Sequence, residues 1–162
     1  MKNGEKGFTL IELVVALAIA AFVTAAASMT IITMMRLTPK NNNWAIALRQ
    51  VQDAGYWISR DVLMSDNITV GTGSTFLTMR QPQVATTTPK TIVYQFQNMS
   101  GGLKRLVRTD NTTATLIAEY LSDNTTATPT DNNTLTLKIE AISGDTVVSR
   151  YYKAAQRVPA AP

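Results

Sequence analysis

The 162-residue chain contains no cysteine and no histidine. Without cysteine it can form neither a disulfide nor a thiolate metal site. Without histidine it lacks the commonest general base and the commonest zinc ligand. Catalytic triads of the Ser-His-Asp and Cys-His kinds are therefore excluded. No other group of residues predicts a catalytic site, so we expect no enzyme, no metal centre and no cofactor.

Formal charge is also absent from one long stretch, because no residue from Leu13 to Met35 carries any. A helix of this length spans roughly 35 Å, which is enough to cross a hydrocarbon core of about 30 Å. Lys2 and Lys6 precede the stretch and Arg36 ends it. The positive leading end predicts a single-pass segment whose amino terminus stays in the cytoplasm, with the rest of the chain translocated.

The charges of the remaining chain are spread rather than clustered. The net charge is +4 and the pI about 9.5, but Lys104 and Arg105 are the only adjacent basic pair after the apolar segment. A nucleic-acid-binding protein usually shows a denser basic stripe. DNA is therefore an unsupported option, and a mildly basic solvated surface is the simpler interpretation. About 125 residues remain for a folded part, enough for one domain with its own core.

A second helical pattern follows the apolar run. Pro39 and the Asn41–Asn43 run predict a break or a new N-cap. We therefore expect a hydrophobic helix over residues 8–37 and an amphipathic helix over residues 38–66. The apolar stripe predicted for the second helix recurs at spacings of three and four and consists of Trp44, Leu48, Val51, Gly55, Ile58 and Val62.

The pattern changes to period two after Asn67, and residues 67–162 are predicted to form a globular sheet domain. We predict five or six antiparallel strands, in segments 76–80, 91–97, 103–109, 115–121, 134–142 and 146–152. The Thr-, Asn- and Pro-rich segments 86–90 and 122–133 are predicted to be surface loops. Helices followed by strands indicate an α+β fold, in which the long helix packs on the sheet.

The junction between the polar leader and the apolar run carries a specific motif, KGFTLIEL, from Lys6 to Leu13. It resembles the processing motif of type IV pilins and of the pseudopilins of type II secretion and competence systems. That motif consists of a short basic leader, a glycine, a phenylalanine, a glutamate at the fifth mature position and a long apolar helix. The resemblance covers residues 1–35. Beyond them the chain agrees with this family in its pilin-like architecture only.

The resemblance implies a processing pathway. Residues 1–7 would be a leader that prepilin peptidase removes after Gly7, and Phe8 would become an N-methylated amino terminus. Residues 8–37 would stay as a transmembrane and filament-core helix. The implied partners are other pilin or pseudopilin subunits, the peptidase, the inner-membrane assembly platform and lipid. The implied location is the bacterial cytoplasmic membrane and then an extracytoplasmic filament. Ordinary signal cleavage near Ala25–Ser28 is the alternative.

Glu12 gains a role if this cleavage occurs. The new α-ammonium at Phe8 is largely charged at neutral pH, and an unpaired charge in an apolar medium is costly. Glu12 lies four residues after Phe8, so an intrachain pair is feasible. The family implies instead that Glu12 neutralises the amino terminus of an adjacent subunit and so sets the register of docking. A third interpretation is that Glu12 only complements the positive end of the helix dipole.

Two absences refine the resemblance. The apolar helix has no proline between Phe22 and Met34, and the chain has no cysteine for a C-terminal disulfide loop. Both favour a minor pilin or pseudopilin over a major adhesive pilin, and residues 50–68 are loosely similar to minor pilins of the J or W type. The alternative functions are a tip subunit that binds DNA, a surface or a secreted protein, and, less favoured, a membrane-anchored enzyme.

One oxygen-rich loop offers side chains of the kind that bind calcium. It contains Asp123, Asp131, Asn132 and Asn133, and calcium prefers oxygen ligands of this kind. The loop lacks the regular spacing of a calcium-binding loop, so a solvated loop is the preferred interpretation.

Overall fold

The computed structural model describes residues 7–82, 89–111, 113–130 and 133–157. The chain divides into two compact units, Met1–Asn41 and Asn42–Pro162, which are described separately. The described residues form one long helix, one short 3-10 turn at Ser100–Gly102 and eight strands. Their bounds are α1 Leu10–Met64, β1 Asn67–Val70, β2 Thr75–Gln81, β3 Lys90–Asn98, β4 Lys104–Asp110, β5 Thr113–Leu121, β6 Thr126–Thr130, β7 Thr134–Ser143 and β8 Thr146–Ala155.

The first unit holds the apolar part of helix α1. Every described side chain up to residue 42 is exposed, and an 18-residue window has a mean hydropathy of 2.5. Within the described ranges, α1 is the one helix long and apolar enough to cross a membrane. The hydroxyls of Thr24, Ser28, Thr30 and Thr33 each donate to the carbonyl four residues earlier, at 2.7–3.0 Å. The polar groups of this segment thus have partners inside the helix, as a lipid environment requires.

The expected break near Pro39 is absent, because helix α1 continues through this residue. Proline removes one helical donor and crowds the carbonyl four residues before it. Thr38 Oγ1 donates to the Met34 carbonyl at 2.9 Å and so supplies a hydrogen bond within this turn. The Asn41–Asn43 run is helical as well. The boundary that we predicted between residues 37 and 38 is therefore not an interruption of the helix.

The second unit contains an antiparallel sheet, with the strand order β1-β2-β3-β4-β5-β7-β6 and with β8 paired to β7. Strand β5 meets β7 only at Leu121 and Ala141. The β3–β4 hairpin closes with a hydrogen bond from Met99 N to Leu103 O at 2.8 Å. The β7–β8 hairpin turns at Gly144, whose φ is 54°. The predicted α+β fold, with the helix packed on an antiparallel sheet, is confirmed.

All six predicted strands are present, but the structure adds β1 and β6. Strand β1 has only four residues, which gives little room for an alternating pattern. Strand β6 lies inside the segment that we predicted to be a loop and contains Pro129. Proline is tolerated there because β6 is an edge strand of the sheet. The prediction of a loop over residues 122–133 was therefore wrong for residues 126–130.

The core lies between the sheet and the part of α1 that belongs to the second unit. Val51, Gly55, Ile58 and Val62 are buried as predicted, but Trp44 is exposed and Leu48 is only half-buried. Three other helix residues are buried in addition, Ala47, Ala54 and Asp61. Small side chains let the sheet approach the helix closely. The ring of Tyr152 occupies the space that a Cβ on Gly55 would fill.

Candidate functional site: the start of helix α1

Gly7, Phe8 and Thr9 precede the first turn of helix α1 and are exposed. A Cβ added to Gly7 would meet no atom within 4 Å, so the fold of this chain does not require glycine there. Any need for glycine must come from the partner that handles the extended backbone. The Phe8 side chain is 89% exposed. The rest of the expected leader, residues 1–6, lies outside the described residues.

Thr9 and Glu12 form reciprocal hydrogen bonds at the amino end of helix α1. Glu12 Oε2 accepts hydrogen bonds from Thr9 N and from Thr9 Oγ1, both at 2.8 Å. In return, Thr9 Oγ1 accepts from Glu12 N at 3.4 Å. This reciprocal arrangement is a capping box, which satisfies two backbone donors that the helix itself leaves without partners. Glu12 therefore has a structural role already in the uncleaved chain.

The capping box occupies one oxygen of the Glu12 carboxylate and leaves the other accessible. Among the described residues, only Oε2 receives a hydrogen bond. A cation could therefore approach Oε1 without breaking the cap. The carboxylate also lies in the first helical turn, where the helix dipole favours negative charge. This geometry is compatible with both interpretations of Glu12, an interaction with the helix dipole and a charge pair with the amino terminus of an adjacent subunit.

An apolar groove of about 300 Å³ borders this carboxylate. It is lined by Ile11, Glu12, Val15, Ala16 and Ile19. Because the side chain of Ala16 is short, the helix surface is recessed there between the branched side chains on either side. The charged group thus lies at the edge of a surface that suits a second apolar helix. Charge pairing and apolar packing could occur at the same place.

Thr9 is the site residue that our sequence interpretation missed. Its signal was present in the sequence, because T-x-x-E directly before an apolar run is the pattern of a capping box. The sequence interpretation relates Glu12 only to the amino group of Phe8, in its own chain or in an adjacent subunit, and to the helix dipole. The structure adds a partner three residues away, and that partner holds the carboxylate against the helix end.

Two acidic side chains at the end of helix α1 and just after it, Asp61 and Asp66, each have a basic partner. Asp61 is bonded to Arg108 and Tyr94, whereas Asp66 is bonded to Arg80 at 2.6 and 3.0 Å. The hydrogen bonds from Arg80 hold the pKa of Asp66 below its usual value. Each carboxylate therefore belongs to a separate ion pair.

Two further acidic residues, Asp110 and Glu119, form different contacts. Asp110 lies 3.4 Å from Lys90 Nζ, and the Glu119 backbone donates to Gln50 Oε1 at 2.8 Å. In the described part of the chain, no three acidic residues come together in a way that could hold a metal ion.

The oxygen-rich loop is only partly described. Asp123 forms an ion pair with Lys104 Nζ at 2.5 Å, and Asn133 has a φ of 57°. Asp131 and Asn132 lie outside the described residues. Of the acidic residues in this loop, the structure therefore describes only Asp123, and its carboxylate is already paired with Lys104.

Comparison with known families gives one match, and it covers the start of helix α1. A family model described as the prokaryotic N-terminal methylation motif matches residues 2–28. The matched range contains Gly7, Phe8, Thr9 and Glu12. No curated protein and no solved structure matched the chain. The match, together with the exposed apolar helix, supports a type IV pilin-like or pseudopilin subunit, which is a structural protein anchored in the membrane.

Proposed function

We propose that this chain is a minor pilin or pseudopilin, a subunit that is processed and then assembled into a type IV pilus or a type II secretion pseudopilus. The observation that carries the proposal is the methylation-motif match over residues 2–28, joined to a helix whose first described turns are apolar and exposed. An exposed apolar helix needs lipid or other helices around it. A subunit that moves from the membrane into a filament has both.

In this proposal, prepilin peptidase cleaves between Gly7 and Phe8, and the new amino group of Phe8 is methylated. Residues 8–37 hold the mature chain in the cytoplasmic membrane until the inner-membrane assembly platform moves it into the filament. An assembly ATPase elsewhere supplies the work.

Glu12 is proposed to guide docking. Its Oε1 receives the α-ammonium of an adjacent subunit, while Oε2 keeps the helix capped through Thr9. The apolar groove next to the carboxylate takes up part of the neighbouring helix. A docked subunit therefore satisfies one charge and buries apolar surface in a single register. In any other register, Glu12 or the ammonium group would remain unpaired in an apolar environment, which costs free energy.

The intact mass of the protein tests the proposal. Protein purified from cells with prepilin peptidase should lack Met1–Gly7 and carry one methyl group at Phe8, whereas protein from cells without the peptidase should be full-length. A full-length mass in both strains would refute it. Two further proposals rank below this one. The first is that residues 50–68 mark the chain as a J- or W-type subunit, and the second is that the chain binds DNA, a surface or a secreted protein. No contact between described residues favours either of them.

A further inference from the structure

Two strands of the second unit have long edges to which no other described strand is bonded. Strand β8 pairs with β7 along Thr146–Ala155, and within the described ranges its other side has no strand partner. Strand β5 pairs with β4 on one side, but on the other side only Leu121 pairs with β7. We call these free sides the β8 edge, residues 146–155, and the β5 edge, residues 113–120. Backbone N–H and C=O groups along a free edge can bond to a strand of another chain.

Helix α1 covers the β5 edge only in part. Gln50 Oε1 accepts a hydrogen bond from Glu119 N at 2.8 Å, so a helix side chain bonds one backbone donor of this edge. Beside that contact, a cavity of about 320 Å³ separates the helix from residues 116–119. Residues 113–116 are exposed. The first half of the β5 edge is therefore accessible to an incoming strand.

The exposed apolar side chains of the sheet lie on these same two strands. Among the described strands, the large apolar side chains that are exposed are Leu116 and Tyr120 on β5 and Val147 and Tyr151 on β8. The other two edge strands, β1 and β6, have only four and five residues, and β6 contains Pro129. A long edge strand with exposed apolar side chains is the kind that pairs with another chain.

The two edges carry opposite charges. Glu119 is the one charged residue of β5, whereas the charged residues of β8 are Arg150 and Lys153. No acidic side chain in the described ranges forms an ion pair with either of these two basic residues. Pairing two β8 edges would bring positive strands together, and pairing two β5 edges would bring negative strands together. Pairing β5 with β8 combines opposite charges, which is the arrangement that stabilises neighbouring strands.

We propose that the β8 edge of one copy of this chain adds to the β5 edge of a second copy as an intermolecular strand. Opposite charges then face each other across the contact, and exposed apolar side chains of both strands are covered. Each copy has one edge of each kind, so the contact is heterologous and can repeat from copy to copy. The inference goes beyond the proposed function, because it requires neither processing nor docking at Glu12.

The absence of cysteine from the chain makes a direct test available. Thr115→Cys places a thiol at an exposed position of β5, and Ser149→Cys places one at an exposed position of β8. Full chains that carry one change each, with different affinity tags, are produced in the same cells, and the membrane fraction is treated with a short bismaleimide. We expect a cross-linked pair that contains both tags. Cells that make either variant alone should give little cross-linked protein.

Thr128→Cys is the matched control, because it places a thiol at an exposed position of β6, the short edge strand that contains proline. Chains with Thr115→Cys and Thr128→Cys should form far less of the mixed product. Equal yields in the two mixtures would show random collision in the membrane and would overturn the proposal. Strong linkage within Thr115→Cys alone would overturn it too, since two β5 edges would then meet.

A charge exchange tests the assignment of the two edges. Glu119→Lys, added to the Thr115→Cys chain, should lower the yield of mixed product about fivefold, because like charges across paired strands are destabilising. Changing both Arg150→Glu and Lys153→Glu in the Ser149→Cys chain should then restore the yield, which would also show that the variant chains fold. A yield that Glu119→Lys leaves unchanged would contradict the pairing of these edges.

The intact mass of the chains that are not cross-linked separates this inference from the proposed function. Absence of the mixed product, in protein that has lost Met1–Gly7 and whose thiols react, would overturn the edge contact and leave processing intact. The mixed product in full-length protein, from cells that contain prepilin peptidase, would support the edge contact and refute the processing.

Discussion

Asp61 of helix α1 and Arg108 of strand β4 lie 47 residues apart in the sequence and form a buried ion pair, with Arg108 Nε 2.6 Å from Asp61 Oδ2. Their side chains are 3% and 12% exposed. Tyr94 OH donates to the same oxygen at 2.6 Å. Burial raises the pKa of Tyr94 well above its usual value, so this hydroxyl stays a donor. The pair fastens the helix to the sheet inside the second unit.

Asp61→Ala should destabilise the second unit by about 3 kcal/mol, because it removes the nearest counter-ion of the largely buried Arg108 guanidinium and leaves it Asp110, whose Oδ2 lies 3.6 Å from Nη1. The free energy of unfolding can be measured in detergent by the loss of the strand signal in circular dichroism. Asp53→Ala is the control, since Asp53 pairs with Arg49 at 3.7 Å on an exposed face and such pairs contribute about 0–1 kcal/mol. Equal losses would contradict the assignment. Asp61→Leu combined with Arg108→Met should recover much of the stability.

Gly55→Ala should also destabilise the second unit, by about 1–3 kcal/mol, because the new methyl group meets the ring of Tyr152. Tyr152→Ala removes that ring together with its hydrogen bond to the Val51 carbonyl. In the Tyr152→Ala background, Gly55→Ala should therefore cost clearly less. Thermal unfolding of the four proteins measures this coupling. An identical cost in both backgrounds would show that the ring is not the obstacle.

Gly7→Val should leave the stability of the chain unchanged and yet block processing. A Cβ at Gly7 meets nothing within 4 Å in the chain itself, whereas a protease that grips an extended backbone has little room for a branched side chain. The measurement is the mass of the protein from cells with prepilin peptidase, paired with its melting temperature. Normal cleavage would remove our reason for glycine at this position.

Thr9→Val should speed amide exchange at Glu12, because the hydroxyl that accepts from Glu12 N is lost. Removing an N-cap side chain typically costs about 1 kcal/mol of helix stability. Thr9→Ser is the matched control and should keep the slow exchange. The rates can be read by NMR in detergent. Equal exchange in Thr9→Val and Thr9→Ser would refute the capping role.

Glu12→Gln should be cleaved normally but should assemble poorly, because an amide cannot neutralise an incoming ammonium. Glutamine can still accept the Thr9 hydrogen bonds, so the cap survives and the charge alone is tested. Thr9→Ser serves as the control for assembly. Filament yield in sheared fractions and the mass of the membrane-bound subunit are the two readouts. Wild-type filament yield from Glu12→Gln would show that docking does not depend on this charge.

The second unit should lose stability in acid, and Glu140 should contribute to the loss. Asn124 Nδ2 and Ser122 Oγ each donate to Glu140 Oε1 at 2.8 Å, which holds the pKa of Glu140 below its usual 4.5. A carboxyl whose pKa falls on folding stabilises the folded state above pH 4.5 and loses that contribution as the pH drops through the folded pKa. Melting temperatures at pH 6 and pH 3 should therefore differ less in Glu140→Gln than in the wild type. An equal difference would exclude Glu140 as a cause.

The sequence predicted the strands whose alternation was regular and missed those whose alternation was short or interrupted. Ile92 and Tyr94 share one face of β3 because a strand alternates its side chains, and that period is visible in the sequence. Strand β6 was not visible, because Pro129 and a run of threonines are typical of loops. Strand β6 forms by pairing with Thr134–Lys138 of β7, and the sequence of residues 126–130 alone does not predict that pairing. The apolar stripe that we predicted on helix α1 was wrong at Trp44, which is exposed. The position of the sheet, and not the helical period alone, decides which side chains of the helix are covered.

What the sequence determined by itself is the start of the chain. The basic residues before Gly7, the T-x-x-E pattern and the uncharged run are all local, and their physics needs only a helix and an apolar medium. The tertiary structure alone decided the rest. It paired Asp61 with Arg108, set Tyr152 into the space above Gly55 and brought Ser143 beside Asn43. These relationships join residues from distant parts of the chain, and only the register of the sheet against the helix brings them together.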